Sequence, residues 1–400
     1  MLIAHRIALD PNDVQATYLA KASGTARFAY NWALAEWTRQ YEESNKDPAN
    51  PKPSESALRR LLNSIKRDQF PWMLEVTKNA PQMAIIQLGK AFKNFFAGRA
   101  KYPQFRKKGM RDRFTLTNDQ FEIDNFHIRI PNLGWVCMRE SLRFIGKVLS
   151  ATISRVADRW FVSITVEMPS APKPPKQLHK SGSVGVDLGV STMAALSTGE
   201  KIAGPKPHTA LLQRLKQLSK ALSRKVKGSK NRAKAKTKLA RIHARISNIR
   251  LDAIHKFTTG LVCRFHEICI EDLNVRGMVK NRCLARAVSD IGFYEIRRQL
   301  EFKAAQSGVR LVVADRFFPS SKMCSNCGCI LHDLPLSIRH WNCNNCGAIH
   351  DRDLNAAKNL AAYAVSSTVK ACGGSSSDQT DIPCGETAPE KQEINIKIYL

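Results

Sequence analysis

The first residues, MLIAHRIAL, alternate apolar and polar positions and predict a strand. The period then changes. Val14, Tyr18, Ala22, Ala26, Tyr30, Ala33, Trp37 and Tyr41 recur every three or four residues, which predicts a long helix. The preceding DPND suits its start, with Asp10 as the cap and Pro11 in the first turn. DPANPKPSES breaks the pattern. ESALRRLLNSIK predicts a second helix and APQMAIIQLGKAFKNFFAG a third, closed by Gly98. Residues 10–98 therefore read as a helical unit.

From residue 114 to 168 the pattern becomes that of strands. FTLTNDQFEI, FHIRIP, KVLSATISRV and WFVSITVEM alternate and are rich in β-branched residues, as in a small antiparallel sheet or barrel. The proline-rich, basic PSAPKPPKQLHKSG reads as a linker between domains. VGVDLGV and TMAALSTGEKIAG follow as two strands joined by a tight turn. Residues 209–250 predict one long helical stretch. FHEICIEDL predicts a strand, YEIRRQLEFKAAQSG a helix ended by Gly308, and VRLVVADRF another strand. The order β, β, α, β, α, β argues for an α/β domain. There are no internal repeats, and the C-terminal segment reads as a flexible tail.

Composition sharpens the picture. With 400 residues, 43% of them apolar, the chain can build two or three cores. Its formal net charge is +29, from 63 Lys and Arg against 34 acids, which points to a polyanionic partner and first of all to nucleic acid. No run of 18 apolar residues exists and the start lacks a long apolar stretch, so neither a membrane span nor a secretory signal is expected. Residues 201–260 carry 17 Lys and Arg against the single acid Asp252. A solvated helix face is the ordinary meaning of such a run. Here the acids that would pair with it are missing, which favours a surface that follows phosphates, with Arg224, Lys225, Lys227, Lys230 and Arg232 at its densest part. A second basic stretch, residues 99–113, interleaves Arg99, Lys101, Arg106, Lys107 and Lys108 with Tyr102 and Phe105. It suits phosphate contact and base stacking; the alternative is a loop whose aromatics anchor it to the core.

Eleven cysteines are present, and four form two CxxC knuckles, Cys324/Cys327 and Cys343/Cys346, with 15 residues between them. That spacing fits one tetrahedral zinc with four thiolates, closed to substrate and so structural. Disulfides are the alternative, and a reducing cytosol disfavours them. Trp341 is placed to cover the site, and Cys329 is a possible competing ligand.

One residue in GSVGVDLGVSTMAAL is out of place. Asp187 sits in an apolar strand, where desolvating a carboxylate is expensive. Alone it could be a cap or an ion-pair partner. Glu271 ends the apolar strand ICIEDLN and Asp353 begins a helix in HDRDLNAAKNLAAYA. Three acids at the ends of core elements can converge, and converging carboxylates need cations between them. Oxygen-only ligation selects Mg²⁺ or Mn²⁺, and two such ions about 4 Å apart can hydrolyse a phosphodiester. Gly185 and Gly189 beside Asp187 would let a nucleic-acid backbone come close.

GVDLGV, CIEDLN, the CxxC…CxxC ribbon and DRDLNAAKNLA, together with KYPQFRKKG, resemble the TnpB family of transposon-encoded proteins related to type V CRISPR nucleases. The resemblance covers most of residues 1–362 and is most specific in the C-terminal third. It implies an α/β plus α+β architecture: an RNase H-like RuvC nuclease domain (183–318 and 348–363) with an inserted zinc ribbon (319–347). It also implies an N-terminal wedge β-barrel (1–9 and 114–170) carrying a helical recognition domain (10–113). Residues 171–182 would be the linker and 364–400 the tail. The family's catalytic acids map onto Asp187, Glu271 rather than Asp272, and Asp353 rather than Asp351. The implied activity is RNA-guided, Mg²⁺- or Mn²⁺-dependent cleavage of double-stranded DNA beside a short flanking motif, with guide RNA transcribed from the transposon end and action in a prokaryotic cytoplasm at the nucleoid. A non-cleaving transposition accessory and an unguided nuclease are the competing readings.

Overall fold

The computed structural model describes residues 1–169 and 181–371. They fall into two units, one of residues 1–169 with 217–244 and the other of residues 181–216 with 245–371.

The first unit begins with strand β1 (Leu2–Leu9), whose alternate residues Ile3, His5, Ile7 and Leu9 are buried. Helix α1 (Asp13–Lys46) follows. Its cap is Asn12, not Asp10: Asn12 Oδ1 accepts from the Gln15 backbone N–H at 2.8 Å, and Gln15 Oε1 accepts from the Asn12 N–H at 3.1 Å. A reciprocal pair satisfies two orphan donors at once, which one acid further back cannot do. Asp10 instead pairs with Arg139 at 3.3 Å. Helices α2 (Glu55–Gln69) and α3 (Asn79–Phe96) complete the helical segment, with Ser54 capping α2 and Gly98 (φ +68°) just beyond α3. Ala22, Ala26, Ala29 and Ala33 are buried on one face of α1, short enough to let a neighbour approach, and Trp37 stacks on Phe92 with ring centroids 4.2 Å apart.

Strands β2 (Arg113–Thr117), β3 (Glu122–Asp124), β4 (His127–Ile130), β5 (Gly134–Cys137), β6 (Lys147–Val156) and β7 (Arg159–Glu167) follow. They form an antiparallel sheet in the order β1-β7-β6-β2 and a second one, β3-β4-β5. Ile7, Val162 and Ile164 share one core with Leu19, Leu34, Leu88 and Ile128, so the helical segment packs on the strands rather than around a core of its own.

The second unit opens with β8 (Ser181–Asp187), β9 (Ala194–Leu196) and β10 (Lys201–Ile202). The expected linker lies largely outside the described residues, and its last two positions, 181 and 182, already belong to β8. Residues 188–193 separate β8 from β9, a longer connection than the tight turn expected. The long basic stretch is not one helix. It comprises α4 (Pro207–Ala210), α5 (Leu212–Ser223) and α6 (Lys230–Arg264), interrupted around Gly228 (φ +87°), and residues 217–244 group with the first unit. A positive φ ends helical propagation, which periodicity alone does not register.

After α6 come β11 (Phe265–Glu271), two short helices the pattern did not reveal, α7 (Val275–Lys280) and α8 (Ala285–Ile291), then α9 (Phe293–Ser307) and β12 (Arg310–Ala314). The ribbon contributes β13 (His340–Asn342) and β14 (Ile349–Asp351), and α10 (Arg352–Ala371) closes the described chain. The expected tail from residue 364 is thus helical as far as Ala371, and residues 372–400 lie outside those described. The main sheet runs β10-β9-β8-β11-β12, with β8, β11 and β12 mutually parallel and β9 antiparallel to both of its neighbours, β8 and β10.

Side-chain alternation assigns the faces of this sheet. Val184, Val186, Ile268 and Ile270 enter one core with Leu261, Ile296 and Leu300. Cys269 enters another with Leu360 and Ala364 of α10. A Cβ on Gly185 would lie 1.9 Å from the Ala357 carbonyl oxygen of α10. Gly185 is therefore a glycine because the protein's own helix crosses the strand there, and the expectation that it admits a nucleic-acid backbone is corrected. Gly189 likewise faces the Thr192 carbonyl, 2.8 Å from a Cβ built on it. No helix among the described residues is long and apolar enough to cross a membrane.

Candidate catalytic site and metal ribbon

Asp187 ends β8 and Glu271 ends β11, and Val186 lies opposite Ile270 in the parallel ladder. The two acids are therefore neighbours one residue further on. They share the face of Gly185 and Cys269, which is the face α10 covers. Asp353 lies in the first turn of α10. Three positions far apart in sequence thus meet at the carboxyl edge of one sheet.

The electrostatics reflect the convergence. Burial, then the Glu271 and Asp353 carboxylates, push the Asp187 carboxyl up to about 8, against the pull of Arg352 and Arg339. A carboxyl ringed by like charges keeps its proton unless a cation replaces it. The donor set, two carboxylates at strand ends and one at a helix start, is the oxygen-only kind a hard divalent ion takes, while among the described residues only the four cysteines bring their ligand atoms within 4.8 Å of one another.

The neighbouring acids are otherwise engaged. The Arg297 and Arg316 guanidinium groups grip Asp272 and hold its carboxyl below the usual range. Asp351 caps α10, accepting from the Leu354 N–H at 3.0 Å, and pairs with Lys201 at 2.8 Å. Asp353 pairs with Arg339 at 3.1 Å, and Glu271 accepts a hydrogen bond from the Ser320 hydroxyl. A cleft of about 310 Å³ opens beside Glu271, lined among others by Leu188, Arg276, Tyr294, Arg297 and Arg316. Its guanidinium groups and exposed Tyr294 ring suit a phosphate backbone and a base face.

In the ribbon, the Sγ atoms of Cys324, Cys327, Cys343 and Cys346 all lie within 4.8 Å of one another. Cys324 and Cys346 are 3.7 Å apart and Cys327 and Cys343 3.6 Å. Sulfurs about 2.3 Å from a tetrahedral zinc stand close to those separations. Gly328 and Gly347 follow the second cysteine of each knuckle with φ of +77° and +70°. An N–H from the Asn345 side chain holds the Cys327 thiol down at about 6, and burial pushes that of Cys324 up to about 12. Trp341 covers the cluster and packs against His350, whose Nε2 stands 3.0 Å from Cys324 Sγ. Cys329 is outside the four-sulfur group.

The expected nucleic-acid residues divide. Arg99, Lys101, Phe105, Lys107 and Lys108 face outward. Tyr102 sets its ring edge against Phe92 and Phe95, with centroids 5.5 and 5.3 Å away, and shares a hydrogen bond with Thr38. The Arg106 guanidinium lies 3.6 Å above the centre of the Tyr30 ring and donates to Gln87. In the second stretch Arg224, Lys225, Lys227 and Lys230 are exposed. Arg232 instead donates to the carbonyls of Leu222 and Lys225, at 3.0 and 2.7 Å, and ties the loop between α5 and α6. For Tyr102 and Arg106 the anchoring alternative describes what the side chains touch, whereas Arg232 neither follows phosphate nor sits on a solvated face but binds its own loop.

Sequence reasoning missed Ser320, Arg339 and Lys201, which carry no local signal. Asn355 and Asn359 had one: amides four apart on the apolar face that starts at Asp353.

Family models match over residues 163–282 ("Probable transposase"), 293–360 ("Cas12f1-like, TNB domain") and 1–46 ("Helix-turn-helix domain"). A Streptomyces pristinaespiralis protein named "Putative RNA-guided DNA endonuclease" is 40% identical across 91% of this chain and 89% of its own length. InsQ of Escherichia coli K12, which bears the same description, is 32% identical across 93% and 94%. Mimivirus proteins named TnpB-like match a shorter part, at 34% identity over 138 residues. The chain belongs to the TnpB family. Its fold is shared with the protein of a solved Cas12f1–sgRNA–target DNA complex, at a TM-score of 0.56 and 16% identity over 88% of this chain and 83% of that one. In this TnpB chain the "Probable transposase" model spans Asp187 and Glu271, and the TNB model spans the four cysteines and Asp353.

Proposed function

We propose that this TnpB protein is an RNA-guided DNA endonuclease of a transposable element, with Asp187, Glu271 and Asp353 as its catalytic acids. The convergence of those three carboxylates on one sheet edge, raising the Asp187 carboxyl to about 8, carries the reading. Divalent cations bound there would supply an activated water and charge for the leaving 3′-oxygen, in a two-metal hydrolysis. The chain's own part is positional. The end of β8, the end of β11 and the first turn of α10 hold the ligands, and Arg339 fixes Asp353. In the cleft, where Arg297 and Arg316 are engaged with Asp272, Arg276 is the guanidinium that steers a phosphate backbone towards Glu271. The four-cysteine ribbon holds a structural zinc with no open coordination position.

The sheet order β10-β9-β8-β11-β12, with three parallel strands and an antiparallel edge, supports the RNase H-like RuvC reading of the second unit. The two antiparallel sheets and helices α1, α2 and α3 of residues 1–169 support the reading of that segment as wedge and recognition parts. The partners are a guide RNA and a double-stranded DNA target. Base pairing reads sequence, while the protein handles backbone shape and a flanking motif. Arg99, Lys101, Lys107 and Lys108, with Arg224, Lys225, Lys227 and Lys230, are the outward cations available for phosphate.

The test is to purify the protein, sequence the RNA that accompanies it, and offer a matching DNA target with Mg²⁺. Cleavage by the wild type, with binding retained and cleavage lost in Asp187→Ala, is the expected outcome. Target binding without cleavage by the wild type would leave a non-cleaving transposition accessory. Cleavage without any guide would leave an unguided nuclease.

A further inference from the structure

Three buried polar side chains stand between the cysteine ribbon and the acids: Ser320, Asn355 and Asn359, each at most 3% exposed. Asn355 and Asn359 lie one turn apart on α10, just after Asp353. Asn355 Oδ1 accepts from the Ser325 N–H at 2.9 Å, and its Nδ2 donates to the Met323 carbonyl at 2.7 Å. Asn359 Nδ2 donates to the carbonyls of Met323 and Ser320, at 2.6 and 2.7 Å. The two amides thus grip the backbone on both sides of Cys324. From that clasped segment the Ser320 hydroxyl donates to Glu271 Oε1. One run of buried and part-buried hydrogen bonds leads from the first knuckle to Glu271, and α10 joins it covalently to Asp353.

Buried amides are costly unless satisfied, and fully satisfied networks hold one geometry. This network ends on one oxygen of one carboxylate. A donor at Oε1 fixes the Glu271 rotamer and leaves Oε2 free. Among the described acids at the site, Glu271 has no ion pair to orient it, whereas Asp353 has Arg339. We propose that Ser320 is a positioning residue for Glu271, held in place by Asn355 and Asn359, and that it sets the affinity of the three acids for divalent cations. The inference rests on the reading of Asp187, Glu271 and Asp353 as cation ligands. Ser320 touches neither nucleic acid nor the reacting atoms in this scheme. It acts through Glu271, as partners behind metal ligands do.

The experiment measures Mn²⁺ uptake by the purified, zinc-loaded full chain, by calorimetry and by the loss of free-Mn²⁺ paramagnetic signal. Ser320→Ala should raise the half-saturating Mn²⁺ concentration about tenfold, the lower range for partners behind a metal ligand. Zinc content and nucleic-acid binding should stay unchanged, and cleavage should recover at saturating Mn²⁺. Ser320→Thr, which keeps the hydroxyl, should stay within about twofold of wild type. Asn359→Ala leaves the hydroxyl in place but releases its anchor, and should shift the midpoint in the same direction. A Ser320→Ala midpoint equal to wild type, while Asp187→Ala abolishes Mn²⁺ uptake, would overturn this inference and leave the nuclease reading intact. A wild type that takes up no Mn²⁺ would overturn both.

Discussion

Asp187→Asn should stabilise the protein against unfolding at neutral pH while abolishing cleavage. In the folded chain the Asp187 carboxyl holds its proton up to about 8, whereas the ordinary carboxyl value is 3.8. Between those limits the folded state binds a proton that the unfolded state has released, so stability falls as pH rises. The contribution of this group is complete below about pH 4 and is lost progressively on the way to about 8. At about 1.4 kcal/mol per pH unit, the loss accumulated by pH 7 is on the order of 4 kcal/mol. Asparagine has nearly the same shape and cannot ionise. Its amide leaves a polar group without a full set of partners, at about 1–2 kcal/mol, so a net gain of about 2–3 kcal/mol remains. For a unit of this size that corresponds to a rise in melting temperature of roughly 5–10 °C. Scanning calorimetry on zinc-loaded, Mg²⁺-free protein at pH 5 and pH 8 provides the assay. The two proteins should melt close together at pH 5 and separate at pH 8, with the variant higher. Mg²⁺ should then raise the wild type selectively, because the cation replaces the proton. A variant that melts at or below wild type at both pH values would refute the account of Asp187 as a carboxyl held against its neighbours.

Gly185→Ala should destabilise the second unit by at least about 3 kcal/mol, because the new methyl meets the α10 backbone and neither element has a flexible atom to yield; denaturant unfolding would reveal it. Elemental analysis should find about one zinc per chain, lost in Cys343→Ala, and a native fold without zinc would contradict the ribbon. Lys107→Glu with Lys108→Glu should weaken nucleic-acid binding and flatten its salt dependence at unchanged melting temperature. Arg106→Ala should instead lower stability by about 1–2 kcal/mol through loss of its seat on Tyr30.

Much was legible in the sequence because it is written in local spacing. Two CxxC pairs fix four thiolates, an apolar run fixes a strand, and an acid inside such a run marks itself by the cost of burying it. The order of α/β elements was legible for the same reason, and so were Asp187, Glu271 and Asp353 as candidates. What spacing cannot carry is the partner of each group. Asp10 and Asn12 both suit a helix start, and the reciprocal bond to Gln15 decides for Asn12. Arg106 and Lys107 look alike in sequence, yet one is stacked on Tyr30 and the other is exposed. Gly185 invites a ligand until α10 is seen to cross it. Residue order was enough to mark which side chains are costly to bury and therefore require a reason. What those side chains meet came from the folded chain, because the neighbours of Asp187 and the Ser320–Asn355–Asn359 clasp belong to segments far apart along the polypeptide that parallel pairing and the crossing of α10 bring together.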